Sequence, residues 1–338
     1  MREIGSEFWD VPTGKIKKQL FPDSVEWYLS GRSALQAIIK DLGRVKSVAL
    51  PSWCCDSMIK PFVNAGMEVH FYPVYMCNHL IQEISFECDV LLLMDYFGYT
   101  SSQPYLNGYE GTVIRDVTHS FFSSQYYDAD YYFGSLRKWC GIWTGGYAWT
   151  RDGHRLLEGT IENSNYIALR KNAMQSKSDY IDGLKKDKDH LKTFYDAEKI
   201  LESVGISAAA ERDVLLAQKI DIEKIKIKRR ANAEVLRSAF KDMLVFTEMS
   251  SDDCPMFVPL LVPNGMRDHL KRFLIEQDIY CPVHWPVSNY HILDDRTKKI
   301  YENELSLICD QRYSEEDMEQ IVKKIKTFFR RHDGVYSI

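Results

Sequence analysis

Apolar positions along this chain fall into short continuous runs separated by stretches with helical spacing. Leu35, Ile38, Ile39 and Leu42 recur at three- and four-residue steps in SGRSALQAIIKDLG, which predicts a helix stopped at Gly43. SVALP reads as a buried strand, the segment from about Asp56 to Ala65 as a second helix closed by Gly66, and MEVHFYPV as another strand. DVLLLMDYFG is an almost unbroken apolar run, the pattern of a strand covered on both faces. GTVIRDVTHS, with its strand ending at Arg115 or Asp116, then DADYYFGS and GGYAWT, complete the series. Strands alternating with helices predict an α/β fold with a doubly wound, mostly parallel central sheet and right-handed connections.

The ends of the chain read differently. Residues 1–28 are rich in aromatics (Phe8, Trp9, Phe21, Trp27, Tyr28) and follow no period, which suggests an N-terminal arm. Residues 151–240 are charged and helical in period, and the basic run KIKIKRR near their end reads as a solvated helix face. MFVPLLV, MRDHLKRFLIEQ and IYCPVHWP predict strand, helix, and strand or loop, and Ser314 with an acidic residue three positions on has the form of a capping box. The expected division is an arm over 1–28, a large domain over 29–235 and a smaller C-terminal α/β domain over 236–338. No internal repeat or low-complexity linker interrupts it.

Composition narrows the function classes. With 338 residues the chain is long enough for a sizeable core, and 45% hydrophobic and 27% charged residues are ordinary for a soluble globular protein. A net charge of -5 supplies no basic field for nucleic acid. The eight cysteines include no C-x-x-C pair, so no metal site is expected, and their scatter reads as reduced thiols. MREIGSEFWD has no apolar core of signal-peptide length, and the run Val90 to Met94 is too short for a bilayer. A cytoplasmic location and no membrane partner are expected.

Ligands of open parallel sheets bind at the carboxyl ends of the strands. Three polar groups fall there: Gly31, Arg32 and Ser33 at the first helix start, Asp116 and His119 after one strand, Ser135 and Lys138 after another. A helix start offers unsatisfied N–H groups to a phosphate. Alone it would be an ordinary cap, Asp116 a strand-end cap, and Lys138 a surface residue. Lys138 lies between Leu136 and Trp139, and a lysine in apolar surroundings loses its proton more easily and acts as an amine nucleophile. Pyridoxal-phosphate chemistry requires an amine, an anion beside the pyridinium nitrogen and a phosphate cradle. The chain presents all three, in the order cradle, aspartate, lysine.

At these residues the sequence resembles the DegT/DnrJ/StrS-type sugar aminotransferases, which are pyridoxal-5'-phosphate (PLP) enzymes of fold type I with the aspartate-aminotransferase-like fold. The resemblance is carried by SGRSAL, ALPSWCCDSMIKPFVNAGMEVHFYPV, DVLLLMDYFGY, VIRDVTHS and GSLRKWCGIWTGGYAWT, in family order over roughly residues 29–150, with weaker matches at VLRSAF and IYCPVHWP. It implies that Lys138 carries the cofactor as a Schiff base, that Asp116 pairs with the pyridine nitrogen, and that His119 takes the slot beside the ring hydroxyl. It implies a phosphate cradle of Gly31, Arg32, Ser33 and Ser135, and a ring-packing role for Cys55 or Trp53. Tyr96, His284 and Trp285 are the residues expected to face substrate.

The resemblance also implies a homodimer that takes an amino acid donor and a keto acceptor, by family default a keto-sugar. The sequence departs from the family in three places. Arg32 stands where a small residue is usual, Phe133 stands at a common phosphate-binding serine position, and GISAAAERDVLL replaces the N-x-R segment that reaches into the neighbouring subunit. Rival readings are a PLP-dependent lyase or dehydratase and a non-catalytic PLP-fold protein that senses or binds. Dehydratase relatives replace the lysine by histidine, whereas this chain keeps Lys138. A PLP-free nucleotide-binding protein should show a G-x-G-x-x-G turn, and none occurs.

Overall fold

The structure is a computed structural model and describes residues 3–14, 19–84, 87–104, 106, 108–123 and 128–332. Residues 1, 2 and 15–18 of the expected arm, 124–127 and 333–338 at the C-terminus lie outside these. In chain order the strands are β1 (Ile4–Gly5), β2 (Glu26–Tyr28), β3 (Ser47–Pro51), β4 (Glu68–Tyr72), β5 (Val74–Cys77), β6 (His79–Gln82), β7 (Val90–Met94), β8 (Thr112–Asp116), β9 (Tyr131–Ser135), β10 (Gly146–Thr150), β11 (Phe257–Leu261), β12 (Ile279–Tyr280) and β13 (Glu304–Ile308). The helices are α1 (Gly31–Asp41), α2 (Asp56–Asn64), α3 (Ser164–Ile181), α4 (His190–Ile200), α5 (Glu211–Ala217), α6 (Ile222–Ala239), α7 (Arg267–Ile275), α8 (Asp295–Asn303) and α9 (Glu315–Arg331).

Seven strands form the central sheet in the order β2-β10-β9-β8-β7-β3-β4. Pairing is parallel from β4 through β9 and antiparallel at β9–β10 and β10–β2. Every residue of β7 is buried, as its continuous apolar run requires of a strand covered on both faces. The parallel strands β8 and β9 end side by side, so that Asp116 and Ser135 emerge at the same carboxyl edge.

α1 starts at that edge. The Ser30 hydroxyl caps it by accepting the Ser33 N–H (3.2 Å), and Gly43, at φ +68°, ends it in the left-handed conformation. Its buried face, Ser33, Ala34, Leu35, Ala37 and Ile38, lies over β9 and β10.

Apolar side chains collect into two principal cores. The larger surrounds the central sheet with α1 and α2. The second is built from β11, β13, α7, α9 and the C-terminal half of α6, with Ile4 of the arm inserted into it. α6 serves both: Ile225 belongs to the first core, Ala233 and Leu236 to the second. The capping box at Ser314 forms with Asp317 at the start of α9. The eight cysteines are free thiols. Among the described residues no helix is long and apolar enough to cross a membrane.

Candidate active site

Four elements converge where β8 and β9 end. α1 presents the Gly31 and Arg32 N–H groups, which find no acceptor among the described residues because a helix start has none within the helix. Gly31 is close against the end of β9: a Cβ there would lie 3.4 Å from the Gly134 carbonyl oxygen and 3.5 Å from the Ser135 Cβ. Past Ser135 the chain makes a single 3-10 turn, Leu136–Lys138. Leu136 and Trp139 point inward and are fully buried, whereas Lys138 is exposed. The apolar flanks expected to desolvate the lysine therefore anchor its turn and leave its amine in the open.

That amine opens into a cleft of about 590 Å³, whose wall includes His119, Arg137, Arg229, His284, Trp285 and Arg312. The cleft lies between the two cores and is edged by Ser6, Glu7 and Phe8 of the arm.

Asp116 is buried beside this cleft, and its Oδ1 accepts the Thr118 N–H (2.8 Å). It makes no ion pair among the described residues. Desolvation pushes its carboxyl up to about 6 despite the Thr118 hydrogen bonds and the more distant Lys138. A buried carboxylate without a cation beside it fits a protonated ring nitrogen as its missing partner. The free helix-start N–H groups facing Ser135 likewise fit a phosphate. The residues present therefore fit PLP: the Gly31 and Arg32 N–H groups and the Ser135 hydroxyl suit its phosphate and Asp116 its ring nitrogen, whereas Ser33, expected in the cradle, spends its N–H on Ser30 and its hydroxyl on Gly205.

His119 is buried, and its Nδ1 accepts the Phe97 N–H (3.4 Å), which places its proton on Nε2 when the ring is neutral. Desolvation, with His284 and Lys138 nearby, holds its pKa well below the ordinary value, so it stays neutral. Trp285 lies nearly parallel to its ring, with 5.9 Å between centroids. His284 is fixed through its N–H to Glu304 (2.7 Å) and its Nδ1 to Ser306 (2.9 Å).

The other residues singled out in the sequence sit as follows. The Arg32 side chain turns away from the cradle to the Leu201 carbonyl, leaving only its backbone N–H on that side. The Ser33 hydroxyl donates to the Gly205 carbonyl (2.9 Å). Trp53 and Tyr96 are fully buried behind the cleft, stacked at 4.8 Å, with the Tyr96 hydroxyl donating to the Trp53 carbonyl. Cys55 is half-buried at the start of α2, and burial pushes its thiol up.

Several cleft residues carry little sequence signal. Arg229, within KIKIKRR, is 1% exposed rather than solvated; it donates to the Pro255 (3.3 Å) and Met256 (2.9 Å) carbonyls. Gln311 accepts from Arg229 Nε (2.7 Å) and donates to the Trp139 carbonyl (2.6 Å), tying the turn after β13 to the residue that follows Lys138. Arg312 pairs with Asp310 (2.8 Å) and reaches the arm.

Comparison with known proteins bears on the fold and on the C-terminal part of the chain. Residues 206–326 match the profile of the DegT/DnrJ/EryC1/StrS aminotransferase family. No curated protein matches the sequence. Among solved structures, the aminotransferase TlmJ of Streptoalloteichus hindustanus is 13% identical with a TM-score of 0.63, covering 92% of this chain and 87% of its own. The sugar aminotransferase CalS13 of Micromonospora echinospora is 13% identical with a TM-score of 0.59, covering 90% and 87%. The ntda protein of Bacillus subtilis, solved with bound PMP, is 11% identical with a TM-score of 0.60, covering 90% and 72%. At such identities the likeness is one of fold, that of the fold-type I enzymes. Residues 206–326 are thus similar to the DegT/DnrJ/EryC1/StrS aminotransferase family, and the chain shares the fold of these solved aminotransferases.

Proposed function

We propose that this chain is a PLP-dependent aminotransferase that moves an amino group from an amino acid to a keto acceptor of the keto-sugar class, with Lys138 as its catalytic residue. The observation that carries the reading is the pairing of two neighbouring strand ends: a buried, cation-less Asp116 at the end of β8, and an open amine at Lys138 just past β9. Bound PLP supplies an aldehyde for the Lys138 amine and a ring that accepts electrons from the substrate's α-carbon.

The protein's own groups do the rest. The Gly31 and Arg32 N–H groups and the Ser135 hydroxyl would hold the phosphate, with Ser33 bracing the start of the helix through Ser30 and Gly205. Asp116 would keep a proton on the ring nitrogen. His119 would offer Nε2–H to the ring hydroxyl, and Cys55 or Trp53 would pack against the ring. Lys138 Nζ would serve as general base for the proton of the substrate's α-carbon. His284 and Trp285 face the incoming substrate from the C-terminal domain, taken as 236–338, while Tyr96 supports Trp53 from behind. The α3–α4 hairpin leaves Leu184, Leu191 and Tyr195 exposed, a surface that a second copy would cover in a homodimer.

The test is spectroscopic. The purified protein should be yellow, one amino acid should bleach it, and borohydride should fix the label on the peptide containing Lys138. Lys138→Ala should lower turnover at least about a thousandfold. A label on another lysine, or full turnover by Lys138→Ala, would overturn the reading.

A further inference from the structure

The N-terminal arm is shaped beyond what a packing strap requires. Ile4 and Gly5 pair in parallel with Ile279 and Tyr280, and the Gly5 N–H donates to the Tyr313 hydroxyl (2.8 Å). The chain then turns through two left-handed residues, Gly5 at φ +98° and Ser6 at φ +67°. A Cβ at Gly5 would overlap the Tyr280 carbonyl oxygen, so the turn admits only glycine there. Arg312 grips the far side by donating to the Ser6 (3.1 Å) and Glu7 (3.0 Å) carbonyls. The result is that Glu7 enters the cleft that Lys138 also lines.

Glu7 is held but not saturated. Its Oε2 accepts from Arg170 (3.2 Å), whose own side chain is 1% exposed. Its Oε1 has no hydrogen-bond donor among the described residues, and the side chain keeps 40% of its surface open. Burial alone would push the carboxyl up, but Arg170, Arg137 and Lys138 outweigh it and hold it below the usual carboxylate range. Of the other two acids of the cleft, Asp310 is buried and engaged by Arg312, and Glu198 gives one oxygen to both Arg137 and Arg170. Arginines on the same walls suit carboxylate and phosphate groups but repel a cation. Glu7 Oε1 is the open anionic atom that the arm itself adds to offset them.

We propose that Glu7 is a specificity-determining residue that draws the ammonium group of an incoming amine toward Lys138. The proposal rests on the aminotransferase reading above, in which the first substrate arrives as a primary amine, a cation at neutral pH. It assigns the arm a binding role: the arm supplies the cleft with its attraction for that cation.

The test compares two small nucleophiles that bleach the cofactor band of the holoenzyme, hydrazine, largely a cation at pH 7, and semicarbazide, neutral there. Glu7→Gln should slow the hydrazine reaction about tenfold, the scale of one screened charge at short range, and leave the semicarbazide reaction unchanged. Glu7→Asp, which keeps the charge on a shorter stem, should restore the preference to within about threefold of the native protein. Equal changes with both nucleophiles, no change with either, or a Glu7→Asp variant as indiscriminate as Glu7→Gln would overturn the proposal. A native protein that carries no borohydride-fixable label on Lys138 would instead remove the aminotransferase reading on which the proposal stands.

Discussion

Arg115 and Arg137 each stand among acidic side chains near the carboxyl edge of the sheet, yet they are built to opposite ends. Arg115, fully buried, donates to the equally buried Asp95 (2.6 Å) from one nitrogen and to both oxygens of Asp128 (2.6 and 2.7 Å), which is 33% exposed, from another, so the Asp95 side of the cluster is the sealed one. Ser120 takes a further oxygen of Asp95 (2.6 Å). That cluster clamps β7 to β8 and fixes where β8 ends. Arg137 is nearly buried, but its partner Glu198 is 44% exposed and the neighbouring Glu7 is 40% exposed. A sealed cluster sets geometry. An open one keeps charge available to a ligand.

Removing the sealed arginine should break that contrast most severely. Arg115→Leu strands Asp95 in the interior, and chemical denaturation should show a loss of about 3–5 kcal/mol. Asp116 lies one residue on and has no such arginine, and it gives the next largest effect. Its carboxyl sits at about 6 in the folded chain, above its unfolded value. The proton is thus bound more tightly in the folded state. The cost to stability is fully present above pH 6 and is relieved as pH falls toward 4. Asp116→Asn, which keeps an acceptor for Thr118, should therefore stabilise the cofactor-free protein by about 2 kcal/mol at pH 8, with the gain fading toward pH 4. Urea unfolding of both proteins across that range would check the sign. The open cluster should respond least: Glu198→Gln should cost under about 1 kcal/mol, and high salt should shrink the difference further.

The sequence carried the sheet and the three convergent polar groups because these rest on local pattern. β7 is apolar throughout, and β8 and β9 end on polar residues directly after buried runs. Lys138 was legible as a candidate nucleophile but its setting was not. Leu136 and Trp139 flank it in sequence, and the 3-10 turn sends them inward and the lysine outward. Arg229 read as solvated because a basic run usually is, yet α6 passes between two cores and buries one arginine of that run. Glu7 was invisible for a different reason. The arm has no period, and Arg312, which fixes it in the cleft, lies 305 positions away. Contacts of that span leave no trace in spacing.

Gln311 is held at both ends, by the Arg229 guanidinium on one side and by the Trp139 carbonyl on the other. It therefore braces the loop after β13 against the short turn that carries Lys138. Shortening that brace would slacken two distant parts of the chain at once.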